Sequence, residues 1–87
     1  MHETALMNDL ISKLKNLARE HGVKKFMNIH VRLGSLCHFT APHFKQHFLA
    51  AAEGTPAQWA KLEVETSDNI LDIHAREVVL VSVEIET

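Results

Sequence analysis

The chain has 87 residues, of which 46% are hydrophobic and 23% charged. That is one domain's worth of ordinary globular sequence, which excludes a second domain, a disordered chain and a low-complexity repeat. Its net charge of −2 lacks the basic excess that phosphate neutralisation needs, so nucleic-acid binding is not expected. The charge is uneven, with seven Lys/Arg against three Asp/Glu in residues 1–50 (+4) and two against eight in residues 51–87 (−6). One cysteine, Cys37, cannot form an intramolecular disulfide and suits a reducing compartment. There is neither a secretory signal pattern nor an apolar run near 20 residues, so a cytoplasmic location without membrane contact is expected. A chain this small buries a limited core, and sharing stability with a second copy as a homo-oligomer would be consistent with that.

In chain order, Leu6, Leu10, Leu14 and Leu17, widened by Met7, Ile11 and Ala18, form the stripe of an amphipathic helix. Thr4 can cap it and Gly22 can end it. From Val23 to Leu33 the period becomes two, with Met27, Ile29, Val31 and Leu33 on one side and Asn28, His30 and Arg32 on the other, which predicts a half-buried strand. Thr40-Ala41-Pro42 supplies an N-cap and a proline in the first turn of a second helix. Phe44, Phe48 and Ala51 are its apolar face, and Gly54 and Pro56 stop it. Ala60–Thr66 alternates as a strand. Ile70–His74 and Val78–Glu86 read as two further strands in a hairpin, the longer one presenting Val79, Val81, Val83 and Ile85 on one side. The order α-β-α-β-β-β predicts an α+β fold, a two-layer sandwich of two helices on a small mixed sheet.

Seven histidines are a high share for this length, and histidine is the commonest metal ligand. His43 and His47, four apart on the second helix, stack on one side and could supply two ligands. No second pair accompanies them, and side chains flanking an apolar stripe explain them as well. His30 belongs with Arg32 on a solvated face opposite Glu63, Glu65, Glu84 and Glu86. Cys37-His38 reads as a buried thiol beside a turn, while His21 and His74 suit a helix end and a turn. No glycine-rich phosphate loop and no nucleophile with a recognisable base is present, so an enzyme is not expected. Met1-His2-Glu3 differs in kind. A free amine, a backbone amide nitrogen and an imidazole within two residues can close fused chelate rings on a square-planar ion such as Ni(II) or Cu(II). A bulky second residue should also keep Met1 in place.

Beyond the tripeptide, Val31-Arg32-Leu33-Gly34-Ser35-Leu36-Cys37-His38 matches an apolar strand running into a Gly-x-Leu-Ser-x stretch, and Phe44–Phe48 fits a second helix. Glu53-Gly54-Thr55-Pro56-Ala57-Gln58-Trp59-Ala60-Lys61-Leu62-Glu63-Val64-Glu65 matches a Gly-Thr, Ala, Leu-Glu-Ile-Glu passage, and Val81–Glu86 a final strand. In these residues the chain resembles the HypA/HybF family of nickel metallochaperones for hydrogenase maturation. The resemblance implies one nickel-binding domain over residues 1–87, with Met1, His2 and Glu3 as metal residues and Ni(II) as the metal carried. It also implies a nickel-handling GTPase of the HypB type as partner, and a hydrogenase large-subunit precursor as a further one. The family's zinc module, with two Cys-x-x-Cys pairs, has no counterpart between Thr66 and Ile70, so no structural zinc is expected. The alternative reading is a protein-interaction or assembly domain that has kept the fold without metal carriage.

Overall fold

The computed structural model describes residues 3–37 and 39–86. It contains α1 (Glu3–His21), β1 (Lys25–Leu33), α2 (Ala41–Ala52), β2 (Lys61–Thr66) and β3 (Val78–Glu86). The strands form one mixed sheet in the order β2-β1-β3, with β2 parallel and β3 antiparallel to the central β1. The expected α+β layering of two helices on a small mixed sheet is what the chain adopts.

Each boundary has a local cause. α1 ends in a basic last turn with Arg19 and His21, and Gly22 follows at φ 62°, a left-handed conformation that costs glycine little. At the start of α2, Thr40 has extended backbone, and its Oγ1 accepts a bond from the amide of His43 at 3.3 Å. α2 closes before Gly54, at φ 78°. Because β1 and β2 are parallel, α2 and its flanking turns form the crossover between them. The Phe26 amide donates to the Pro56 carbonyl at 3.0 Å, and the Ser67 amide to Leu33 at 2.9 Å, pinning both ends of that pair.

The core lies between the helices and one face of the sheet. Phe26, Ile29, Val31 and Leu33 of β1 meet Leu10, Leu14 and Ala18 of α1 and Phe44, Phe48 and Ala52 of α2, all buried. Leu62 and Val64 of β2 and Val78, Leu80 and Val83 of β3 pack against its margin. Phe44 and Phe48 stack with ring centres 6.1 Å apart. The opposite face of β1 is polar, as its alternation requires: Arg32 Nε donates to Glu65 Oε1 at 2.7 Å, with His30 Nε2 3.7 Å from the same oxygen, and Asn28 Nδ2 donates to Glu84 Oε1 at 3.2 Å.

Thr4 lies inside α1, which already opens at Glu3, and so is not its cap. Three further expectations need correction. Ile70–His74 is not a strand, and no hairpin joins it to β3; residues 70–77 form a series of turns instead. Short polar side chains capture the amides a ladder would need: Ser67 Oγ accepts from Asn69 N (3.2 Å), Asn69 Oδ1 from Leu71 N (3.0 Å), and Asp72 Oδ1 from His74 N (2.8 Å). Second, Met27 is exposed while Phe26 is buried, because the register slips between Phe26 and Asn28 and reverses the alternation there. Third, Val79, Val81, Val83 and Ile85 do not share an inward face. A second slip, opposite His30/Val31, leaves Val81 exposed and turns Val78, Leu80 and Val83 toward the core, while Ile85, paired with Phe26 near the end of the sheet, is exposed there.

Candidate functional site

The residues with expected metal chemistry fall into two places. Met1 and His2 lie outside the described residues, and Glu3 opens α1. One turn further, Leu6 lines an open groove of about 840 Å³ whose far wall is the turn segment, through Ile70, Ile73, Ala75 and Arg76, with Leu36 between. The first turn of α1 therefore borders the segment that follows the junction between Thr66 and Ile70, where the resemblance puts the missing module. Periodicity did not reveal this groove. The signal was the run Ile70-Leu71-Asp72-Ile73, too apolar for a solvated turn and too rich in turn-forming neighbours for a strand.

The groove is fixed by the Gly34 turn. The Gly34 amide donates to the Glu77 carbonyl at 2.9 Å, and the Leu36 amide to the Ala75 carbonyl at 2.7 Å, so the segment is clipped onto the end of β1. His74 Nδ1 contacts the Glu77 carboxylate within this segment, the turn role expected of it. Cys37 is half-buried, with Sγ 4.0 Å from the Phe39 carbonyl; His38 lies outside the described residues.

The second place is the exposed side of α2. His43 and His47 come together there, Nε2 to Nε2 at 2.8 Å, with ring centres 4.4 Å apart. Buried Phe39 meets both rings edge-on, at 5.6 and 6.1 Å. Among the described residues, no group of three or more His, Cys, Asp or Glu is arranged to hold an ion. No described helix is long and apolar enough to cross a membrane.

A fold of two helices on a three-stranded mixed sheet is also that of the nickel metallochaperone HypA from Helicobacter pylori, whose solution structure superposes with a TM-score of 0.77 at 18% identity, covering 98% of this chain and 97% of that one. The family model described as HypA, hydrogenase/urease nickel incorporation, metallochaperone, matches residues 1–84, and the chain belongs to this family. Its relatives include hydrogenase maturation factor HypA of Chloroflexus aurantiacus, 34% identical over 65 residues, which are 75% of this chain and 57% of that protein. The factor of the same name from Moorella thermoacetica is 35% identical over 75% of this chain and 58% of its own length. The chain thus matches somewhat more than half the length of these curated relatives.

Proposed function

We propose that the chain carries Ni(II) for the maturation of a hydrogenase. The supporting observation is the family match over residues 1–84, which takes in Met1-His2-Glu3. In this reading the Met1 amine, the His2 imidazole and backbone amide nitrogen hold the ion as cargo in a square plane. Glu3 contributes its backbone amide, and its carboxylate orients the segment or contacts His2. The ion leaves when a partner offers better ligands. That partner is a GTPase of the HypB type, and a hydrogenase large-subunit precursor is the further recipient.

The same reading makes residues 1–87 one nickel-binding domain in the cytoplasm that catalyses no reaction and needs no structural zinc. Thr66 runs on to Ile70 through Ser67-Asp68-Asn69, which leaves no cysteine pair to build a four-thiolate site.

Nickel titration of the chain with a free, authentic N-terminus tests the proposal. Tight binding should be lost in His2→Ala and in a chain whose amine is blocked, and kept in His43→Ala/His47→Ala. Tight binding that survives His2→Ala would overturn it.

A further inference from the structure

The geometry points to a second metal site on α2, in which His43 and His47 bind a borderline divalent cation of the Cu(II) or Ni(II) kind through two adjacent positions of its coordination sphere. Spacing alone would not carry this, since i and i+4 histidines are common. The orientation of the rings does.

The two Nε2 atoms stand 2.8 Å apart and the ring centres 4.4 Å apart, with the planes at 76°. A straight N–H···N bond of that length would hold the ring centres about 5 Å apart, because each centre lies about 1.1 Å behind its nitrogen. The observed centres are closer, so the hydrogen bond between the rings is bent and the two nitrogen axes do not lie along one line. Two nitrogens bound to one ion at about 2.0–2.1 Å and at a right angle stand about 2.9 Å apart, with ring centres about 4.5 Å apart, whereas a tetrahedral ion spreads its nitrogens to about 3.3 Å. The observed pair fits the right angle, which is the angle of square-planar and tetragonal Cu(II) and Ni(II).

The rings are also held in place from behind. Phe39 touches His43 and His47 edge-on, and its own ring is fixed by a T-shaped contact with buried Phe44 at 5.4 Å. Thr40 caps the turn carrying His43. Holding two ligands in position before the ion arrives lowers the ordering cost of binding. Two imidazoles give the ion two positions of its sphere, and a site resting on this pair is weaker than a chelate of three or more nitrogens. It does not depend on the N-terminal reading.

The test uses the full chain with a histidine-free N-terminal extension, which blocks the amine, and Cu(II) or Ni(II) alone as probe. One equivalent should bind and raise the midpoint of thermal unfolding, because only the folded helix brings the rings together. Cu(II) should bind more tightly than Zn(II). Substoichiometric Cu(II) should broaden the NMR signals of His43, His47 and Phe39 before any others, a readout that needs no variant. His47→Gln and His43→Ala should each abolish the thermal shift. Broadening centred elsewhere, a shift that survives both variants, or no shift at all would overturn the site while leaving the N-terminal proposal standing.

Discussion

The α-carbon of Gly34 faces the carbonyl of Ala75 so closely that a β-carbon at position 34 would stand 2.2 Å from the Ala75 oxygen and 2.5 Å from that of His74. Both are backbone atoms and cannot step aside as a side chain tip would. Gly34→Ala should therefore lift the 70–77 turns off the end of β1, breaking the Gly34–Glu77 and Leu36–Ala75 hydrogen bonds with them. A loss of about 1–3 kcal/mol is expected, typical of forced overpacking. Amide exchange should show the disturbance at Leu36 and residues 74–77 first. Wild-type exchange rates there would contradict the contact.

Phe44 is fully buried between α2 and the sheet, whereas Ile73 is 90% exposed on the groove wall. Phe44→Ala should cost about 3–5 kcal/mol, a large share of what a domain of this size has. Ile73→Lys should change stability by no more than about 0.5 kcal/mol. Urea titration followed by circular dichroism compares the two. Near-equal losses would mean that Ile73 is covered by a second copy.

The only tryptophan, Trp59, is 80% exposed in the turn before β2. Its fluorescence should already have the long-wavelength emission of solvated indole in the native protein and change little in denaturant. Blue-shifted native emission would place Trp59 in an interface. Concentration dependence of the spectrum would identify that interface as one between copies.

For the N-terminal nickel site, pH dependence follows from the donors. An α-amine titrates at about 7.7–8.0 and an imidazole at about 6.5, and both must lose protons to bind, so occupancy should fall as pH drops from 8 to 6. The bound Ni(II) should be diamagnetic and yellow, and Cu(II) should displace it more readily than Zn(II) does. Calorimetric titration at two pH values with the three metals checks this. A pH-independent affinity or a preference for Zn(II) would point to ordinary side-chain ligands.

Where one local signal acted alone, the sequence was legible. The leucine stripe placed α1, Thr40 with Pro42 placed the start of α2, and the alternation of Ile29, Val31 and Leu33 placed β1. It failed where two signals competed. Ile70-Leu71 and Ile73 have strand character, but Ser67, Asn69 and Asp72 hold the local amides in turns. The two register slips in β1–β3 pairing leave no mark in composition, and each reverses the facing of the residues beside it, as at Met27 and Val81. The candidate sites divide similarly. Met1-His2-Glu3 is readable from donor chemistry, while the spacing of His43 and His47 was visible but the packing of their rings involves Phe39, which belongs to a different segment.

The pairing of β1 with β3 joins Lys25 to Glu86 and Leu33 to Val78. During synthesis the central strand is thus made long before its antiparallel neighbour, which occupies the last described residues of the chain. Until β3 clears the ribosome, one edge of β1, carrying Ile29, Val31 and Leu33, has no strand beside it. A nascent chain in that state offers an open template to any other extended segment nearby, including another copy of β1 or β3. Contacts so distant in sequence also close slowly. The vulnerable period is therefore set by β3, and a chain stalled before Val78 should be held by chaperones or aggregate rather than persist as a partly functional domain.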